Sequence, residues 1–68
     1  MDAEDVGVAI AGALISFAAA LQRHGIDANV LLTDTANEIA ESIAKQPETP
    51  ARAALHITTA VLMASEPG

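Results

Sequence analysis

Two histidines, a line of acids and three serines are the side chains whose types and spacing offer chemistry in this chain. His24 and His56 are the only imidazoles, and there is no cysteine. A metal site or a general-base pair is the chemistry two histidines suggest, but metal sites require particular ligand spacing. The Glu-x-x-His pattern of di-iron bundles does not occur. His24 reads instead as a side chain favoured at the negative end of a helix, and His56 as a surface or boundary residue. Asp34, Glu38 and Glu41 stand four and three apart, which puts them along one side of a helix. They form a candidate docking strip for a basic partner, or a set mimicking the charge of DNA; an ordinary solvated helix face has the same composition. Carboxylates act as acid and base only in a pocket that perturbs their pKa. Ser16, Ser42 and Ser65 lack a nucleophile-elbow context. Gly7 and Gly12 lie inside a helical pattern rather than a phosphate-cradling loop. No catalytic residue, metal ligand or cofactor is assigned, and a non-enzyme is expected.

The elements that would position such groups are limited by size. The chain has 68 residues, one domain at most, and a domain this small buries only about 60% of its unfolded surface. The common supports are disulfides, a metal or oligomerisation. Without cysteine, oligomerisation is the expected one, and a reducing cytoplasm the expected location. Sixteen residues are Ala, against 19 of Val, Ile, Leu, Met and Phe together. Ala forms helices readily but brings little volume to a core. Phe17 is the only aromatic residue, which leaves no stacking platform for single-stranded nucleic acid. The net charge is −6, with Arg23, Lys45 and Arg52 the only cations. That is too few for a phosphate backbone; an acidic surface suits a basic or neutral partner.

Three helices are expected, near residues 3–24, 28–45 and 50–64, forming a small all-α bundle as a single helical domain over 1–68. Asp2, Glu4 and Asp5 suit the positive end of the first. Its apolar stripe reads Val6, Ile10, Ala13, Leu14, Phe17 and Leu21, and Gly25 closes it. Asp27 is the expected N-cap of the second, with Ile26 and Leu31 as a hydrophobic staple. Leu32, Ala36, Ile39, Ala40 and Ile43 form its inner face. Glu41 and Lys45 form an i, i+4 pair. Thr35-Ala36-Asn37-Glu38 also fits a capping box, so a break or kink near Thr33 is an open alternative. Pro47 ends this helix, and Thr49 caps the third with Pro50 at its first position. Ala51, Ala54, Leu55, Thr58, Val61 and Leu62 form the third stripe. Ser65 to Gly68 is expected to fray.

The run Val6–Leu21, VGVAIAGALISFAAAL, carries no charge, and nine of its 16 residues are Ala, Gly or Ser. It falls short of the roughly 20 apolar residues of a membrane span. It lacks flanking positive charge, and the acidic MDAED differs from the basic start of a secretory signal. A helix apolar all round is one covered all round, and two short helices cover one side. The face Ile10, Leu14, Phe17 and Leu21 is therefore expected to meet the other helices. The face Val8, Gly12, Ile15, Ser16, Ala19 and Ala20, with Gly7, Ala11 and Ala18 close to the same side, is expected to meet another subunit. Small residues at that spacing allow close helix approach. A homodimer or higher homo-oligomer follows as the expected state.

Residues 38–52, EIAESIAKQPETPAR, resemble the helix-turn-helix of bacterial DNA-binding domains over about a fifth of the chain. Glu38-Ile39-Ala40 matches the start of that pattern, and Thr49 and Arg52 fall where a recognition helix begins. The resemblance implies a small transcriptional regulator. The segment departs from the pattern at Ala44, where a turn glycine is usual, at Pro47 and Pro50, and in its near lack of phosphate-positioning cations. The reading that leads is a small acidic, non-catalytic helical protein–protein interaction module, a bacterial or phage-type accessory or regulatory protein. No nucleic-acid or membrane partner is expected. An oligomeric enzyme or metal-binding protein with a site between subunits is a further alternative.

Overall fold

The computed structural model describes residues 1–65. Among them are three α-helices that pack against one another, and no strand: α1 (Ala3–Arg23), α2 (Ala28–Ile43) and α3 (Pro50–Ala64). The expected fraying of the C-terminus falls mostly on residues 66–68, outside the described residues; Ser65 caps α3 and its Oγ donates to the Val61 carbonyl at 2.9 Å.

The chain sets these boundaries by local chemistry. The Asp2 carboxylate accepts from the Asp5 N–H at 3.0 Å, satisfying one of the amides left open at the start of α1. Gly25, at φ +82°, closes the other end. The Gly25 N–H donates to the Gln22 carbonyl and the Ile26 N–H to the Leu21 carbonyl, at 3.0 and 3.1 Å. This is a Schellman motif, whose left-handed residue is normally glycine. Asp27 caps α2 through the Asn29 N–H at 3.1 Å. Thr49 caps α3 through the Arg52 N–H at 3.1 Å, with Pro50 in the first turn.

α2 runs without a break. The Thr35 hydroxyl donates back to the Leu31 carbonyl at 2.7 Å rather than capping a new helix, so the alternative start at Thr35 is not used. α2 ends at Ile43, and Lys45 lies in the following turn. The expected Glu41–Lys45 pair is therefore not made. Among the described residues the ion pair that forms is Arg52 Nη1 to Glu48 Oε1 at 3.7 Å, joining the first turn of α3 to the segment just before it.

α3 is the middle helix: it packs along both α1 and α2, which touch each other least. Its buried line is Ala54, Thr58 and Leu62. Facing it from α1 is Gly7, Ala11 and Ala18, and from α2 Ala28, Ala36 and Ile43. The centre is Ala11, Ala36 and Leu62, with Leu14, Ile15, Leu32, Ile39 and Val61 packed around it. Several inner-face expectations are corrected here. Phe17 is 62% exposed, and Ala13, Ala40 and Ala51 are exposed. Gly7, Ala11 and Ala18 point inward, not toward another subunit. At the Gly7 end of this line α1 and α3 cross too closely for any side chain.

The closest approach is at Gly7. A Cβ there would stand 2.5 Å from the Ala54 carbonyl oxygen and 2.7 Å from the Ile57 Cβ. Beside it lies Thr58, fully buried, whose hydroxyl shares its proton between the Gly7 carbonyl at 3.0 Å and the Ala54 carbonyl at 2.9 Å. Gly12, one and a half turns along, has nothing within 4 Å of its Cβ position.

The two glycines therefore respond to alanine with opposite sign. Gly12→Ala gains about 1 kcal/mol of helix propensity. Gly7→Ala gains the same but must push α3 away, and overpacking costs about 1–3 kcal/mol or more; a net loss of about 2 kcal/mol is expected. Denaturant midpoints of the two variants at low protein concentration check this. Thr58→Val keeps the shape and removes the hydroxyl, and is expected to cost about 1 kcal/mol in the same measurement.

Candidate functional site

The outer side of α1 is an uncovered surface of small apolar residues. Because α3 holds the Gly7–Ala11–Ala18 line, the opposite side carries Ala9, Gly12, Ser16 and Ala19, all exposed, with Val8 at its edge, 50% exposed. Of the residues expected at a self-association face, Val8, Gly12, Ser16 and Ala19 lie on this open side. Ile15 and Ala20 are half-buried, and Ile15 packs against the core cluster. Ile15 is thus corrected to an inner position: its place one turn after Ala11 rotates it toward the core. Phe17 lies at the far edge of the open side, where sequence reasoning had it buried.

α1 also has the length and composition of a membrane-crossing helix, with a mean hydropathy of 1.7 over 18 residues and only 17% of that window buried. The 16-residue uncharged run understated this, because the helix continues beyond it at both ends. A core helix of a soluble protein and a signal sequence share this length and composition.

On α2, Asp34, Glu38 and Glu41 are all exposed. They share the outer side with Val30, which is 59% exposed. Leu31, at 43%, and Ile26, at 45%, stand near the start of the same helix. Both members of the expected staple thus keep a little under half of their surface in water.

A third feature was not anticipated from sequence. Ile43 at the end of α2 and Ile57 on α3 floor an open groove of ≈ 630 Å³, rimmed by Glu48, Arg52 and His56. The signal that marks it is the spacing of Glu48, Arg52 and His56, four residues apart each time along the start of α3. Arg52 is held by Glu48, whose side chain is 94% exposed, so solvent screens the pair and it adds little to stability. His24 and His56 lie on different elements and both are exposed. Among the described residues no group of three or more His, Asp or Glu side chains is placed to hold a metal ion.

The groove depends on α3 beginning where it does. Thr49→Ala is expected to cost about 1 kcal/mol, the usual worth of an N-cap, and to loosen the first turn around Arg52; thermal melting and amide exchange at Ala51–Ala53 report it. Comparison of the chain with protein-family models, curated proteins and solved structures finds no match.

Proposed function

We propose that this chain is a small acidic, non-catalytic interaction module, a bacterial or phage-type accessory or regulatory protein of the cytoplasm. It self-associates through the outer side of α1 and offers Asp34, Glu38 and Glu41 to a basic protein partner. The observation that carries the reading is the division of α1. One side is committed to α3 through Gly7 and Thr58, while the other is apolar, uncharged from Val6 to Gln22 and exposed. Contiguous exposed apolar surface of this kind marks interaction sites. The acids are exposed on a different helix, α2, where they discourage non-specific contact and favour a cationic partner.

Sedimentation equilibrium of the full chain tests the reading. Reversible association is expected, and Gly12→Leu, which places a bulky side chain on the open side of α1, is expected to weaken it at least tenfold. A wild-type chain that stays monomeric at every accessible concentration overturns the reading.

A further inference from the structure

We infer that the occupant of the open side of α1 is a second copy of this chain, seated antiparallel, with Asp5 of each copy against Arg23 of the other. The inference rests on the self-association reading above and adds the geometry of the pair. It starts from one line of exposed residues: Asp5, Ala9, Gly12, Ser16, Ala19 and Arg23. They recur at spacings of four, three, four, three and four, the seam by which one helix packs along another. Asp5 and Arg23 stand eighteen residues apart, or about five full turns at 3.6 residues per turn. They therefore lie on the same side at opposite ends.

The line is symmetric about position 14. Positions 5 and 23, 9 and 19, and 12 and 16 are each centred there. A two-fold axis at that level sets Gly12 against Ser16, Ala9 against Ala19 and Asp5 against Arg23 of the other copy. Every step between is small, so the two backbones can approach closely. The ends carry complementary charge. Asp2, Glu4 and Asp5 crowd the N-terminal end, and Arg23 and His24 the C-terminal end. Arg23 makes no ion pair with any described residue. An antiparallel pair joins these unlike ends and also opposes the helix dipoles favourably. A parallel pair would set Asp5 against Asp5 and Arg23 against Arg23.

A lipid surface fits the same face less well. Amphipathic helices that lie on membranes carry Lys and Arg on their polar side, whereas this chain has a net charge of −6. Crossing a bilayer would also strip α3 from Gly7 and leave Thr58 without its interhelical bond.

Because the chain contains no cysteine, single cysteines at two exposed seam positions read the orientation directly. Ala9→Cys and Ala19→Cys proteins, mixed and oxidised, are expected to give mainly the mixed disulfide dimer, with little cross-linking in either protein alone. Efficient cross-linking of Ala9→Cys to itself overturns the antiparallel geometry while leaving self-association standing. A sedimenting dimer with no cross-link in any mixture overturns the seam. A monomer at all concentrations overturns both, as does a monomer that floats with neutral phosphatidylcholine vesicles. Charge exchange is the second arm. Arg23→Glu is expected to weaken the dimer about fivefold, as expected for exposed ion pairs, and the double variant D5R/R23E to restore it. Failure of the double variant to restore the dimer counts against the Asp5–Arg23 contact.

Discussion

The crossing of α1 over α3 at Gly7 is the constraint on which the remaining arrangement rests. It joins the helix that starts the chain to the helix that ends it, across 51 positions of sequence. Two requirements meet there. Gly7 must lack a side chain because the Ala54 carbonyl and Ile57 occupy its place. Thr58 must carry a hydroxyl because, buried between the two helices, it reaches the backbone of both. A buried hydroxyl without a partner is costly, so this bond favours one register of α1 on α3 over others that would bury similar amounts of alanine.

A bundle held this way has little bulk at its centre. Leu62 and Thr58 are the largest side chains fully removed from water, and the remaining core positions are mostly alanine. Close packing of small residues brings backbones together but buries little apolar area per residue, and hydrophobic stabilisation scales with that area. Meanwhile Phe17 and Val30 stay mostly exposed, and Val8, Leu31 and Met63 about half exposed. The same economy of volume that allows the tight α1–α3 contact thus leaves apolar surface outside, and that surface is the physical basis for the binding role proposed for the chain.

Much of the fold was legible in the sequence because it is written in short-range chemistry. Asp27, Thr49 with Pro50, and Gly25 act at the helix ends where their residue types are favoured, and three helices follow. The facing of α1 was read less well. Weighing residues by hydrophobicity drew Phe17 inward and sent Gly7 and Ala18 outward, whereas the steric demand of a close crossing does the reverse. Bulk and burial part company where backbones nearly touch. Lys45 was misplaced for a simpler reason: α2 stops at Ile43, two residues short of it. The Ile43–Ile57 groove arises from how α2 and α3 meet, so the local spacing of Glu48, Arg52 and His56 marks only its rim, while the acids of α2 are exposed as their spacing alone implies.

The central claim is that α1 has two sides with two different partners: α3 on one, and a second chain on the other. An NMR dilution series on uniformly labelled full-length protein tests it most directly. The account predicts nuclear Overhauser contacts between the Gly7 Hα protons and the Ile57 methyls that persist at every concentration. It also predicts amide shifts of Gly12, Ser16 and Ala19 that move with concentration while those of Ala54 and Leu62 hold still. Absence of the Gly7–Ile57 contacts, or shifts at Gly12 and Ser16 that do not change from dilute to concentrated samples, would contradict it.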